Sequence, residues 1–176
     1  MPLPPILVDP SALAEFAAQL QRETVIAVDL EADSLHSYQD KVCLLQFSTP
    51  TATVLVDPLA IGDLSPLKAV LADGAVRKIF HAADYDIRCL HRDFGIEING
   101  LFDTMIACQL LGEPKVGLAD ILNKYLGVEL DKRYQRADWS KRPLDEGMIR
   151  YAAEDTRHLH KLAELLEKQL VAKGRL

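Results

Sequence analysis

The 176-residue chain has no zinc-type cysteine spacing, no long apolar run and no surplus of positive charge. Its three cysteines, Cys43, Cys89 and Cys108, are odd in number, far apart and set in apolar surroundings. They offer neither a zinc site nor a disulfide framework, so a reducing cytosol is expected and the protein is read as cytoplasmic. No stretch reaches 18 apolar residues, and no basic segment followed by an apolar run opens the chain, so no membrane partner is expected. Twenty Lys and Arg stand against 26 Asp and Glu, a formal net charge of -6. That balance argues against gripping nucleic acid by charge alone, but not against a local basic patch working with bound divalent cations. Neither an internal repeat nor a low-complexity segment is present. With 49% hydrophobic and 26% charged residues, the chain has the composition of one globular domain.

Asp9-Pro10 reads as an N-cap followed by proline at the first helical position, opening an amphipathic helix on Leu13, Phe16, Ala17 and Leu20. Segments 25–31, 42–48 and 52–57 read as three strands of an antiparallel meander, with Thr49-Pro50-Thr51 as a hairpin connection. A short helix from Ser65 to about Leu71, a strand over 77–81 and a helix over 84–94 stopped by Gly95 follow. Further helices are predicted from Phe102 through Leu111 and over 118–126, then a long irregular loop over 129–143. One long helix capped by Asp145 is predicted to run to about Lys173. Strands first and strand–helix alternation after them predict an α/β fold: a mixed sheet with helices packed on it.

The segment Val25-Ile26-Ala27-Val28-Asp29-Leu30-Glu31 carries the first chemistry. Side chains alternate along a strand, so Asp29 and Glu31 share one face while Ile26, Val28 and Leu30 take the other. Carboxylates roughly 6–7 Å apart along a strand suit a shared oxygen-seeking cation and suit an apolar interior badly. A third acid lies early in the helix after His81, at Asp86 or Asp84. Spacing slightly favours Asp86, at the edge of an apolar face with Ile87 and Leu90, while Asp84 suits a capping position. In the last helix Tyr151 and Asp155 stand four residues apart on one face, and Ala152-Ala153 allow close approach to a sheet. Glu154, about 100° round, reads as solvated. Four acids without histidine or cysteine match magnesium or manganese, and two such ions about 3.5–4 Å apart suit an in-line phosphoryl displacement.

The segments Asp29-Leu-Glu31, His81-Ala-Ala-Asp-Tyr-Asp86-Ile and Tyr151-Ala-Ala-Glu-Asp155-Thr resemble the three motifs of the ribonuclease D group. That group belongs to the 3′–5′ exonucleases named for four acids and a tyrosine (DEDDy). The likeness runs from Leu7 to about Leu166, and includes Cys43-Leu-Leu-Gln46-Phe, Leu101-Phe-Asp103-Thr104 and Asp138-Trp139-Ser-Lys-Arg142-Pro-Leu. It implies a ribonuclease-H-like fold and places the second-motif acid at Asp86. It also implies two divalent cations, Mg2+ or Mn2+. Asp29, Glu31 and Asp155 would hold one, and Asp29 would bridge to a second held by Asp86. Tyr151 would orient the attacking water, which one ion acidifies, while the other ion stabilises the departing 3′-oxygen. Single-stranded RNA would be cut from its 3′ end to nucleoside 5′-monophosphates. Residues 1–176 are expected to form one exonuclease domain without the helical nucleic-acid-binding domains that ribonuclease D usually carries after it.

Strand binding is expected from Lys132, Arg133, Arg136, Lys141 and Arg142, interleaved with Tyr134 and Trp139, since cations and aromatics suit phosphates and stacked bases. Trp139 has an equal alternative as a buried loop anchor, and Arg142 as a backbone cap. Leu30, Leu35 and His36 are expected to border the terminal nucleotide. His81 is read as structural. Oligomeric state stays open. Single-stranded DNA is an alternative substrate, because the 2′-hydroxyl contacts that would select RNA have no sequence signature here. A silent nucleic-acid-binding module would have lost an acid, and none is missing. An aspartyl-phosphate phosphatase would need aspartate where Glu31 stands.

Overall fold

The computed structural model describes residues 2–33, 38 and 40–176. Leu35 and His36 lie outside the described residues. A six-stranded sheet runs in the order β1-β4-β3-β2-β5-β6. Its strands are β1 (Ile6–Leu7), β2 (Val25–Ala32), β3 (Val42–Ser48), β4 (Thr53–Val56), β5 (Arg77–Phe80) and β6 (Leu101–Asp103). The expected meander is β2–β3–β4, antiparallel, with Asp29 opposite Gln46 and Glu31 opposite Leu44. β5 runs parallel to β2, and β6 parallel to β5. The chain is therefore α/β with a mixed sheet, as its element order predicts.

Eight α-helices are found among the described residues: α1 (Pro10–Leu20), α2 (Pro58–Ile61), α3 (Lys68–Ala72), α4 (Ala83–Phe94), α5 (Thr104–Leu110), α6 (Leu118–Leu126), α7 (Glu146–Arg157) and α8 (Leu159–Ala172). Strand alternation decides what each face buries. Ile26, Val28 and Leu30 pack with Leu13, Phe16 and Leu20 of α1 and with Cys89 and Leu90 of α4. Ala27 and Ile79 face the opposite side, against Ala107 and Cys108 of α5 and Leu162 and Leu166 of α8. A third cluster joins Cys43, Leu44 and Leu55 to Trp139, Met148 and Ala152. Ala152 and Ala153 are fully buried, so α7 lies close on the sheet, as two small residues permit. No described helix is long and apolar enough to cross a membrane.

Three sequence expectations change. The predicted long last helix breaks at His158, which ends α7 and precedes α8. Phe102 and Asp103 extend the sheet rather than open a helix; α5 starts at Thr104, with Asp103 as its N-cap. The second shift arises because periodicity sees apolar spacing and not the neighbouring strand that captures it, here β5 for β6. Asp84 does not cap α4. It is exposed and pairs with Arg88 at 2.9 Å.

Trp139 and Leu30 are corrected as substrate contacts. Trp139 is 1% exposed and Leu30 6%, each inside an apolar cluster, so core packing accounts for both side chains here. Arg142 is corrected as well. Its guanidinium grips Asp57 at 2.9 and 3.0 Å and donates to the carbonyls of Cys43 and Trp139 at 2.6 Å. It ties the loop before α7 to the end of β4. Trp139→Ala is expected to destabilise the fold by about 3–5 kcal/mol through cavity formation, with denaturant melts as the check. A loss below about 1 kcal/mol would show that the ring is not a core anchor.

Candidate active site

Asp29 and Glu31 stand on the β2 face opposite its apolar stripe, beyond Ala27, the last residue of β2 paired with β5. Where β5 turns away into α4, the carboxyl end of β2 opens a recess between parallel strands, a usual place for ligands in such sheets. α7, packed on β2, β3 and β4, brings in Asp155, which is 7% exposed. Ligand oxygens of Asp29, Glu31 and Asp155 lie within 4.8 Å of one another. α4 brings in Asp86, 6% exposed, which hydrogen-bonds to the Asp29 side chain. Asp86 rather than Asp84 thus joins the cluster.

Asp29 also hydrogen-bonds to Asp155, and Asp155 to Glu31. Two carboxyl groups make such a bond only when one carries a proton. Burial is the main cause that raises the pKa of each acid, and the neighbouring negative charges push Glu31, Asp86 and Asp155 further. Glu31 reaches about 8 and Asp86 about 11. The Asp86 Oδ2 and Gln46 Oε1 atoms are buried without a hydrogen-bond partner. An all-oxygen cluster whose charge burial disfavours, with buried acceptors left over, fits divalent cations of the magnesium type.

The surroundings fix these acids by directional bonds. Gln46, fully buried opposite Asp29, donates from Nε2 to Glu31 Oε1 at 3.3 Å. Ser48 Oγ lies 2.8 Å from both Thr53 Oγ1 and Thr156 Oγ1, joining β3 and β4 to the residue after Asp155. His81 is structural, as its sequence position suggests. Its Nε2 faces the Val116 carbonyl at 2.8 Å, so that nitrogen donates, and Nδ1 meets Thr104 Oγ1 at 2.8 Å.

Tyr151 is half-buried beside the acids, with Trp139 and Tyr134 rings 6.0 and 6.1 Å away. Burial, then Asp155, Glu31 and Asp29, push its hydroxyl pKa well above the ordinary value. It therefore stays protonated at neutral pH. Tyr134 lies over Gly147 at the start of α7, where any β-carbon would collide with its ring. Glu154 is not merely solvated, because His158 and Arg157 both pair with it.

Residues 5–171 match a family model described as 3′–5′ exonuclease. The chain belongs to this 3′–5′ exonuclease family. Ribonuclease D of Zymomonas mobilis is 36% identical over 99% of this chain and 46% of its own length. The RRP6-like 3 protein of Arabidopsis thaliana is 42% identical over 91% of this chain but 18% of its own. Among solved structures, the catalytic core of Trypanosoma brucei RRP6 superposes with a TM-score of 0.93 at 39% identity, covering 98% of this chain and 48% of that one. Escherichia coli RNase D, described as an exoribonuclease involved in structured RNA processing, gives 0.93 at 34%, covering 100% and 47%. This exonuclease-family chain thus spans less than half the length of these relatives. The resemblance read from the three motifs holds.

The residues that motif reading left without a role are Gln46, Asp103 and Thr156. Asp103 carries a local signal, an acid directly before a helix-compatible run, which is an N-cap pattern. The partners of Gln46 and Thr156 lie 15 and 108 residues away, so no local signal marks them.

The raised acids set a pH dependence. A carboxyl that keeps its proton in the folded state and loses it in the unfolded state stabilises the fold at low pH. That contribution disappears as pH rises through the folded-state value, near 8 for Glu31. Burial lowers the pKa of His81 and His160, so both are already neutral above pH ~7 and do not compete in this window. In chelator, Tm is expected to fall between pH ~7 and ~8.5, and Glu31→Gln to flatten that fall. Melting curves that stay level or rise with pH would mean that the acids ionise there without strain.

Proposed function

We propose that this chain is a divalent-metal-dependent 3′–5′ exoribonuclease domain releasing nucleoside 5′-monophosphates one at a time from single-stranded RNA. The observation that carries the reading is the meeting of Asp29, Glu31, Asp86 and Asp155, from β2, α4 and α7, beside a protonated Tyr151. The choice of RNA over DNA rests on the ribonuclease D and RRP6 relatives. Asp29, Glu31 and Asp155 would hold one ion and Asp29 with Asp86 a second, either Mg2+ or Mn2+. When bound, such ions neutralise the acids and stabilise charge on the attacking and leaving oxygens of an in-line displacement.

The chain's own residues do the rest. Tyr151 keeps its O–H at neutral pH, so the hydroxyl can both donate to and accept from an attacking water and hold it in line. Gln46 fixes one Glu31 oxygen and leaves the other for a ligand. Lys132, Arg136 and Lys141 are exposed on the loop that reaches Tyr151 through Tyr134. They supply phosphate contacts, and half-buried Tyr134 supplies the aromatic surface beside them.

Asp29→Asn and Asp155→Asn should each reduce turnover of a 3′-hydroxyl RNA oligomer by about 10²–10³-fold or more. Each should raise Tm in chelator, because a neutral amide removes like-charge repulsion. Activity kept by either variant would remove that acid from the chemistry. Tyr151→Phe should slow single-turnover cleavage by up to about 10²-fold with Mn2+ affinity unchanged; an unaltered rate would reassign the ring to packing. Matched RNA and DNA oligomers with Mg2+ or Mn2+ test the substrate. Faster release of deoxymononucleotides would favour DNA, and binding without release would leave a silent module.

A further inference from the structure

Ala82, between β5 and α4, has φ 62 and ψ 61 and is the only non-glycine residue with positive φ among those described. An L side chain rarely adopts this left-handed conformation, which persists only when neighbours impose it. Ala82 is also the N-cap of α4, and its own side chain caps nothing. The bonds that hold this turn come from Asp103, at the end of the adjacent strand. Asp103 Oδ1 accepts from Ala82 N–H at 3.0 Å, and Oδ2 accepts from Ala83 N–H at 2.8 Å. The same Oδ1 caps α5 through Met105 N–H at 2.8 Å and Ile106 N–H at 3.4 Å.

We propose that Asp103 is a positioning residue for Asp86: by clamping Ala82 and Ala83 it fixes the first turn of α4 and aims Asp86 at Asp29. The inference rests on the proposed function in taking Asp86 and Asp29 to share an ion. Asp86 lies in that first turn, and its Oδ2 is buried without a partner of its own. Its neighbour Asp29 is itself one of the repelling acids, so the backbone beneath Asp86 must set its direction. A carboxylate suits the task because both of its oxygens accept, so it can satisfy N–H groups of two helices at once. Register agrees, since Asp103 pairs with Phe80, two residues before the turn.

Asp103→Asn separates this role from plain capping. Asparagine caps helices as well as aspartate does, so its oxygen can keep the Ala82 and α5 contacts. Its amide nitrogen then faces the Ala83 N–H, donor against donor, and the Ala83 half of the clamp on α4 is lost. In chelator, Ala83 should exchange its amide proton faster in this variant, and the Asp86 carboxyl carbon should shift, while Met105 and Ile106 stay protected. In Mn2+ titrations the weaker of two ions should lose about 10–100-fold in affinity, with the other unchanged. Adding Ala82→Gly, which needs no clamp to adopt positive φ, should recover about 5–30-fold, the equilibrium equivalent of an alanine's left-handed penalty.

Unchanged Mn2+ affinities in a less heat-stable Asp103→Asn protein would overturn the proposal, leaving Asp103 a structural cap. Equal weakening of both ions with no recovery from Ala82→Gly would overturn it too. A parent protein that binds no Mn2+ would sink the functional reading separately. The amide exchange and the Asp86 carbon shift, both read in chelator, would then still decide whether Asp103 sets the turn.

Discussion

Mutual repulsion among Asp29, Glu31, Asp86 and Asp155 is the constraint around which this fold is built. Raised carboxyl pKa values and bound cations are the two ways to relieve it, and the all-oxygen cluster suits the second. Neither remedy works unless the acids are held in place, because like charges left mobile simply move apart. The surroundings supply that restraint three times over, through Gln46 on Glu31, the Asp103 clamp beneath Asp86 and the Ser48–Thr53–Thr156 hydroxyls beside Asp155. Each restraint is polar and directional, whereas the apolar clusters supply bulk stability on either side.

The sheet makes the convergence possible. β2 has an antiparallel neighbour, β3, on one side and a parallel one, β5, on the other. The antiparallel side continues past Asp29 and supplies Gln46, while the parallel side stops early and turns into α4. One side of the Asp29 region is therefore lined by paired backbone with α7 packed over it, and the other is open to Asp86 from α4. The same strand serves the core through Ile26, Val28 and Leu30, so core packing and acid placement are two faces of one register.

Local periodicity made much of this legible. Period two placed Asp29 with Glu31, and an i, i+4 step placed Tyr151 with Asp155. Spacing alone could not separate Asp84 from Asp86, because both lie in the first turn of α4; the motif resemblance chose Asp86, and burial agrees. What stayed hidden depended on partners distant in sequence. The basic and aromatic stretch 132–142 reads as a binding loop by composition, yet composition cannot say which way a side chain points. Trp139 turned inward and Arg142 found Asp57 across 85 residues. The break at His158 was equally hidden, since the apolar pattern runs through it without a glycine or proline.

That break divides two kinds of anchorage. α8 is seated by Leu159, Leu162, Leu166 and Leu170, side chains that tolerate sliding and exchange for others of similar volume. α7 is seated by paired alanines and by a hydroxyl contact of 2.8 Å, which permits almost no drift. The break thus separates a helix held by interchangeable apolar contacts from one whose alignment to the sheet carries Tyr151 and Asp155.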